Sequence, residues 1–412
     1  MESASYRSGS YRPGSHRFAA GAAAVLTAAL ACLQPGIDPV FLTLLSAAHG
    51  VNPADHGWIV GATQAGMAAG SLLLWRLGTG LHRAAMPLAA LGALLAGLAT
   101  VMLTDAYALL AVRALFGFAM GIVYTQAMSR AAAFRPMGAY GAVFLVQLIL
   151  STAVALSLPA VAGTAGAAAA LAVLVLVPLM VLALTALPAT ARDRQWTLPA
   201  AEPGVAGARD DVPASGWVLA AATFFFICAT MMIWSFTGAL ATAAGIGEES
   251  IGLAVAVGSI AGALTAMLVM REQPLIPLVV TGMLASLCLI APLVLAPLGQ
   301  VESFVLSIIL LNIGSTSIII RCSGMATVRS RAPLFRRFVA CTHPLGMIAG
   351  PVIGSVMALA FGAAGLLAGA VSMLMLGCCA LGFAALSDRR TTMREWVREF
   401  GERPPAFRLK ES

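Results

Sequence analysis

Twelve long apolar runs separated by short polar gaps leave this chain very few ways to fold. They fall at 18–47, 57–75, 85–104, 106–129, 138–160, 164–187, 216–243, 250–270, 274–297, 301–323, 338–360 and 363–386. Each has about the 20 residues that a helix needs to cross a hydrocarbon layer of about 30 Å. In lipid every backbone polar group must be satisfied within the chain, so each run is read as a transmembrane helix, spans 1 to 12. Composition agrees: 60% of residues are hydrophobic, 10% are charged and the mean hydropathy is +0.93. A soluble domain carries roughly 25% charged residues. The expected fold class is an all-α polytopic membrane protein with twelve transmembrane helices in two pseudo-symmetric six-helix bundles.

The gaps carry a charge code. One set holds Arg76, Arg83, Arg130, Arg135, Arg192, Arg194, Arg209, Arg271, Arg329, Arg331, Arg336 and Arg337. The opposite set holds Asp55, Asp105, Glu248, Glu249 and Glu302, with no lysine or arginine. Positive residues stay on the cytoplasmic side. The sequence therefore predicts a multi-pass protein of a cell inner (cytoplasmic) membrane with both termini cytoplasmic. The net charge of +7 is a topology signal, and no nucleic-acid partner is expected; the lipid bilayer is the partner it implies.

Polar breaks divide the chain. Residues 1–17 are Ser/Gly-rich and read as a disordered cytoplasmic N-terminus. The first bundle covers 18–187, a cytoplasmic linker 188–215, the second bundle 216–386 and a tail 387–412. Span 2 carries Gly66 and Gly70, and span 8 carries Gly258 and Gly262 at matching places. Glycines four apart let helices approach closely in lipid, and the repetition suggests an internal duplication. In the tail, Met393, Trp396, Val397 and Phe400 share one helical stripe, and Thr392 with Glu395 has the spacing of a capping box. This predicts a short amphipathic helix on the inner leaflet.

Several motifs are excluded or discounted. "AALAC", ending at Cys32, faintly resembles a lipoprotein cleavage box, but the apolar run continues past it, so span 1 is retained. The seven cysteines make no Cys-x-x-Cys pair and read as small apolar side chains. No phosphate-cradling Gly-rich Lys-Ser/Thr loop and no His-Glu-x-x-His pattern is present. No enzyme activity, metal or cofactor is expected, and the energy for any transport would come from a gradient.

Ionisable residues inside the spans are few: Asp38 on span 1, Arg113 on span 4, and His343 near the inner end of span 11. Arg321, toward the inner end of span 10, is expected to snorkel to the interface. Asp38 lies roughly 13 Å below the acidic surface, and Arg113 and Gln64 roughly 10 Å below it, at 1.5 Å per residue. An intramembrane charge costs several kcal/mol unless paired, so Asp38 and Arg113 are expected to neutralise each other beside an interior cavity. Their pairing is either structural or the seat of proton coupling. Gln34 lies one turn before Asp38 and shares its face. Pro35, Gly36 and Pro39 are expected to bend this segment. Gln147, Trp234 and Asn312 are further candidates to line a substrate cavity, and Phe224, Phe225, Phe226, Met231 and Met232 would suit a lipophilic cargo.

Twelve spans split six and six around a central loop resemble the major facilitator superfamily over nearly the whole chain. "LLAVRALFGFAMG" is similar to that family's span-4 motif, with Arg113, Gly117 and Gly121. "GMIAGPVIG" in span 11, with Gly350 and Pro351, is similar to the antiporter Gly-Pro motif, which the family usually carries in span 5. The loop after span 2 departs from the family pattern: Leu74 stands where an aspartate is usual. The resemblance implies a monomeric transporter working by alternating access. With Asp38 and Arg113, it points to a proton-coupled exporter, an antiporter of a small organic molecule. Two alternatives are a proton-coupled importer of an organic anion, and a non-transporting membrane sensor or assembly factor.

Overall fold

The structure is a computed structural model that describes residues 14–51, 56–77, 84–133, 135–186, 212–271, 275–330 and 332–400. Its elements are α1 (Gly14–Ala31), α2 (Gln34–His49), α3 (His56–Leu77), α4 (Ala85–Met102), α5 (Ala106–Ala131), α6 (Pro136–Ala165), α7 (Ala167–Leu174), α8 (Leu176–Ala186), α9 (Ala214–Ala243), α10 (Glu248–Val269), α11 (Leu278–Leu295), α12 (Val301–Val328) and α13 (Pro333–Phe400). Ten helical stretches are long and apolar enough to cross a membrane, and α1 with α2 makes one further, bent span. The last stretch, Pro333–Ser387, runs 55 residues and breaks at Gly362, so it holds spans 11 and 12. The protein is a multi-pass membrane protein with twelve spans among the described residues.

Each break has a local cause. Span 1 bends by 40° between Ala31 and Gln34. Pro35 has no N–H to offer the Ala31 carbonyl, and the chain passes the gap on a Leu33 N–H to Leu30 O bond of 3.3 Å. Span 6 is interrupted at Val175, three residues before Pro178, whose missing N–H leaves the Leu174 carbonyl without its helical donor. Gly362 has φ 64 and ψ −151, a conformation open only to glycine, and it turns the chain from span 11 into span 12. Asp105 separates spans 3 and 4 by accepting the Ala108 N–H at 2.8 Å, which caps span 4.

Glycine seams set the pairing of spans. Gly66 and Gly70 on span 2 face the backbone of span 4 at Ala114 and Phe118, and Gly117 and Gly121 face the backbone of span 2 at Thr63 and Met67. A Cβ at any of the four would collide with a carbonyl oxygen. Ser71 Oγ uses this proximity to donate to Gly121 O at 3.2 Å. In the second half, Gly258 and Gly262 of span 8 meet Ile308, Asn312 and Thr316 of span 10. Spans 2 and 4 thus pair backbone to backbone through glycines on both, and spans 8 and 10 through glycines on span 8. Gly346, Gly350 and Gly354 of span 11 pack on span 7 at Ile227, Cys228, Met232 and Phe236.

The outer surface is apolar, as lipid requires. Leu88, Leu95, Leu287 and Leu359 are exposed, and Trp58 (72% exposed) and Tyr107 (82%) stand near the acidic end, where aromatic side chains favour the headgroup level. Among the described residues, helical backbone begins at Gly14. Past Gly362, helical backbone runs from Ala363 to Phe400 without a non-helical residue. No glycine or proline stands between Gly382 and Phe400 to end span 12. Residues 1–13, most of the linker and 401–412 lie outside the described residues.

Candidate functional site

The span-4 row Arg113, Gly117, Gly121 repeats every four residues and so lies on one face. The glycines draw that face against span 2, and Arg113 is carried with it. Its Nε donates to Thr63 Oγ1 at 3.1 Å. Its guanidinium carbon lies 4.6 Å from the centre of the Phe41 ring and 4.4 Å from that of Phe116, within cation–π range. The side chain is 3% exposed, and Nη2 is buried without a protein partner.

Asp38 is half-buried on α2, and its Oδ1 accepts from Gln34 Nε2 at 2.8 Å. Arg113 packs on Phe41, which lies one turn past Asp38 on α2. Asp38 and Arg113 do not form the contact pair expected from the sequence. Asp38 is held by its own helix, and Arg113 by span 2.

A cavity of about 30 Å³ lies beside Arg113 and Gln34. Gln34, Ile37 and Phe41 of span 1, Thr100 of span 3, Arg113 of span 4 and Leu171 of span 6 are among its walls, all within the first half. It is too small for an organic cargo and lies off the boundary between the halves. Asp38 sits about 40° around the helix from Gln34 at 3.6 residues per turn. That places it between the face toward this cavity and the exposed face that carries Pro39 and Thr43.

The other sequence candidates are spread more widely. Gln64 is buried at 5% exposure next to Thr63. Asn312 Nδ2 donates to Ile308 O at 3.0 Å and abuts Gly258, so it is spent within the second half. Trp234 is half-buried against both the central core and the apolar cluster at the acidic end of the second half. Gln147 is half-buried on span 5. Gln34 is hydrogen-bonded to Asp38 and lines one cavity with Arg113.

Arg321 is a correction. It does not snorkel: it is 5% exposed and its Nη1 donates to Thr281 Oγ1 of span 9. A threonine one turn inside the neighbouring span gives the guanidinium a nearer partner than the interface.

The halves meet at the arginine-rich end. Arg337 Nε donates to Gln126 Oε1 at 3.3 Å, and Cys341 Sγ donates to Ser71 O at 3.1 Å. Trp75 packs on Phe338 with ring centres 5.2 Å apart. His343 lies between Tyr124 at 5.8 Å and Phe144 at 5.5 Å. At the acidic end the apolar clusters are separate. One is built from Phe41, Leu45, Leu109 and Leu158 of the first half, the other from Ala241, Ile246, Phe304 and Ile308 of the second. Sequence reasoning missed Thr63, Phe41 and Phe116 around Arg113, and all of this seal.

No family model matches the sequence, and no curated protein matches it. Solved structures do. The human organic anion transporter MFSD10 (TETRAN) is similar with a TM-score of 0.61 at 14% identity, over 90% of this chain and 99% of that one. FucP, a major facilitator superfamily transporter in the outward conformation, is similar with a TM-score of 0.57 at 14% identity, over 90% of this chain and 99% of that one. The chain has the major facilitator fold. Leu74, on span 2, is fully buried at 1% exposure. The seal beside it is made by the tilted Trp75–Phe338 ring contact and by the Gln126–Arg337 and Ser71–Cys341 hydrogen bonds.

Proposed function

We propose that the protein is a secondary transporter that exports a small organic molecule in exchange for protons, by rocking its two halves around a central site. The observation that carries this reading is the placement of Asp38. It is a half-buried carboxylate beside the fully buried Arg113, on the helix that borders both the interior of the first half and the exposed face. An acid in that position can exchange a proton when the exposed face opens, and its charge is felt by a neighbour that cannot leave. The positive-inside pattern puts the arginine-rich seal toward the cytoplasm. The described conformation is then closed to the cytoplasm and parted on the other side. That is the state in which cargo leaves and Asp38 is reprotonated.

Uptake of an organic anion is the second reading, and the buried guanidinium favours it. Against it, the space at Arg113 is about 30 Å³, room for water and not for an organic anion. The test is accumulation of lipophilic and amphipathic candidate compounds in cells with and without the protein, repeated with Asp38→Asn. Export predicts lower accumulation with the wild-type chain and no reduction with Asp38→Asn. Raised accumulation of a carboxylate, abolished in Arg113→Ala and retained in Asp38→Asn, would select the second reading.

A further inference from the structure

Two hydrogen-bond donors are left over at the seal between the halves. Trp75 Nε1 on span 2 and Arg337 Nη1 on span 11 are both buried, and neither has an acceptor among the described residues. A buried donor without an acceptor is costly, most of all on a cation, and native structures leave few of them.

The helix register brings the two together. Cys341 Sγ donates to Ser71 O at 3.1 Å, which sets spans 2 and 11 at one height. Span 2 ends at the arginine-rich end and span 11 begins there, so the two run antiparallel. Trp75 is four residues past Ser71, and Arg337 is four before Cys341. Each therefore stands one turn, about 6 Å, nearer the arginine-rich end on the same face of its helix. Trp75 packs on Phe338, the next residue after Arg337, with ring centres 5.2 Å apart. Arg337 Nε donates to Gln126 Oε1 at 3.3 Å, so span 4 closes another side.

The place is rich in donors and cations and lacks an anion. Spans 2, 4 and 7, and span 11 up to Gly362, contain no aspartate or glutamate. The exposed Arg76 holds its guanidinium carbon 5.9 Å from the centre of the Trp75 ring. The surroundings suit a lipid headgroup. Trp217, 43% exposed, packs on Phe338 with ring centres 4.9 Å apart, and Leu77 and Leu334 are exposed on spans 2 and 11.

We propose that Trp75 and Arg337 bind a phosphate group at this seal, carried by an anionic lipid of the inner leaflet or by inorganic phosphate, and that the bound group clamps spans 2 and 11 together. A guanidinium fork matches the oxygens of a phosphate, and the indole N–H supplies a further bond from the other half. Arg76 can turn from the Trp75 ring onto the same oxygens. A ligand held by one donor from each half binds the closed seal better than the open one, so it shifts the protein toward the closed state. This clamp does not depend on the proposed role of Asp38.

The experiment uses the full chain in dodecyl maltoside and times alkylation of Cys341 by site-resolved mass spectrometry. The additions are phosphatidylglycerol, phosphatidylcholine, sodium phosphate, and sodium chloride at matched ionic strength. A ligand that binds only the closed seal slows the reaction by a factor of 1 + [L]/Kd, about tenfold at about ten times Kd. Slowing of this size is expected with phosphatidylglycerol if the lipid is the source, and with sodium phosphate if the free ion is. Each variant is read as its own ratio with and without the addition. Arg337→Gln is expected to lose the slowing. Trp75→Phe keeps a ring against Phe338 and removes only the N–H, and it should raise the half-effective concentration about fivefold, as for one hydrogen bond. If Arg337→Gln does not fold, Trp75→Phe carries the test. The clamp is overturned by the absence of slowing with both phosphate sources. Equal slowing by phosphatidylcholine or by sodium chloride overturns it too, as does an unchanged response in Trp75→Phe or in folded Arg337→Gln.

Discussion

Arg113 on span 4 donates from Nε to Thr63 Oγ1 on span 2 at 3.1 Å, one turn from where Gly117 meets the Thr63 carbonyl. The buried cation is thus positioned by backbone contact between two helices. A methyl group at Gly117 or Gly66 must push those helices apart. Gly117→Ala and Gly66→Ala should each destabilise the protein by ~1–3 kcal/mol, the usual cost of overpacking. Gly61→Ala, with nothing within 4 Å, should be neutral. Thermal unfolding midpoints in detergent check the contrast.

Removing one charge should strand the other. Asp38→Asn leaves Arg113 buried without its nearby anion, at an expected cost of ~1–3 kcal/mol, below the ~3–5 of a buried contact pair because Asp38 is only half-buried. Adding Arg113→Met, an apolar side chain of similar reach, should recover most of that loss. It should not recover transport. A double-mutant cycle on the unfolding free energy, run beside a transport assay, separates the structural share of the pair from the functional one.

Cys341 should report the state of the seal. It is fully buried and donates to Ser71 O across the two halves. Alkylation should be slow in the resting protein and at least tenfold faster in Phe338→Ala or Gln126→Ala, which weaken contacts on either side of it. Site-resolved mass spectrometry distinguishes it from the exposed Cys379.

Sidedness can be read with single cysteines at exposed positions in an otherwise cysteine-free chain. Thr104→Cys should react with an impermeant maleimide in intact cells, and Ala133→Cys only after permeabilisation. The reverse pattern would invert the orientation drawn from the arginines.

The spans were legible because lipid enforces them. A run too short or too charged to cross about 30 Å cannot be a span, so the sequence places most helix ends within a few residues. The seam of span 4 was legible for a similar reason: Arg113, Gly117 and Gly121 repeat with the helix. What could not be read depends on partners far away in sequence. Arg321 has one neighbour, Thr281, that redirects it inward, and that neighbour is on another span. The seal joins Trp75 to Phe338 and Gln126 to Arg337, residues whose pairing depends on how the halves meet. Asp38 and Arg113 do not touch; Gln34 holds Asp38 Oδ1 and Thr63 holds Arg113 Nε, partners that depth along a helix does not reveal.

The most direct test of the account is transport in proteoliposomes of a compound that the cell assay identifies, with and without an imposed pH gradient. The account predicts that Asp38→Asn exchanges labelled for unlabelled compound at close to the wild-type rate, while its gradient-driven accumulation is lost. Gradient-driven accumulation by Asp38→Asn equal to the wild type would contradict it.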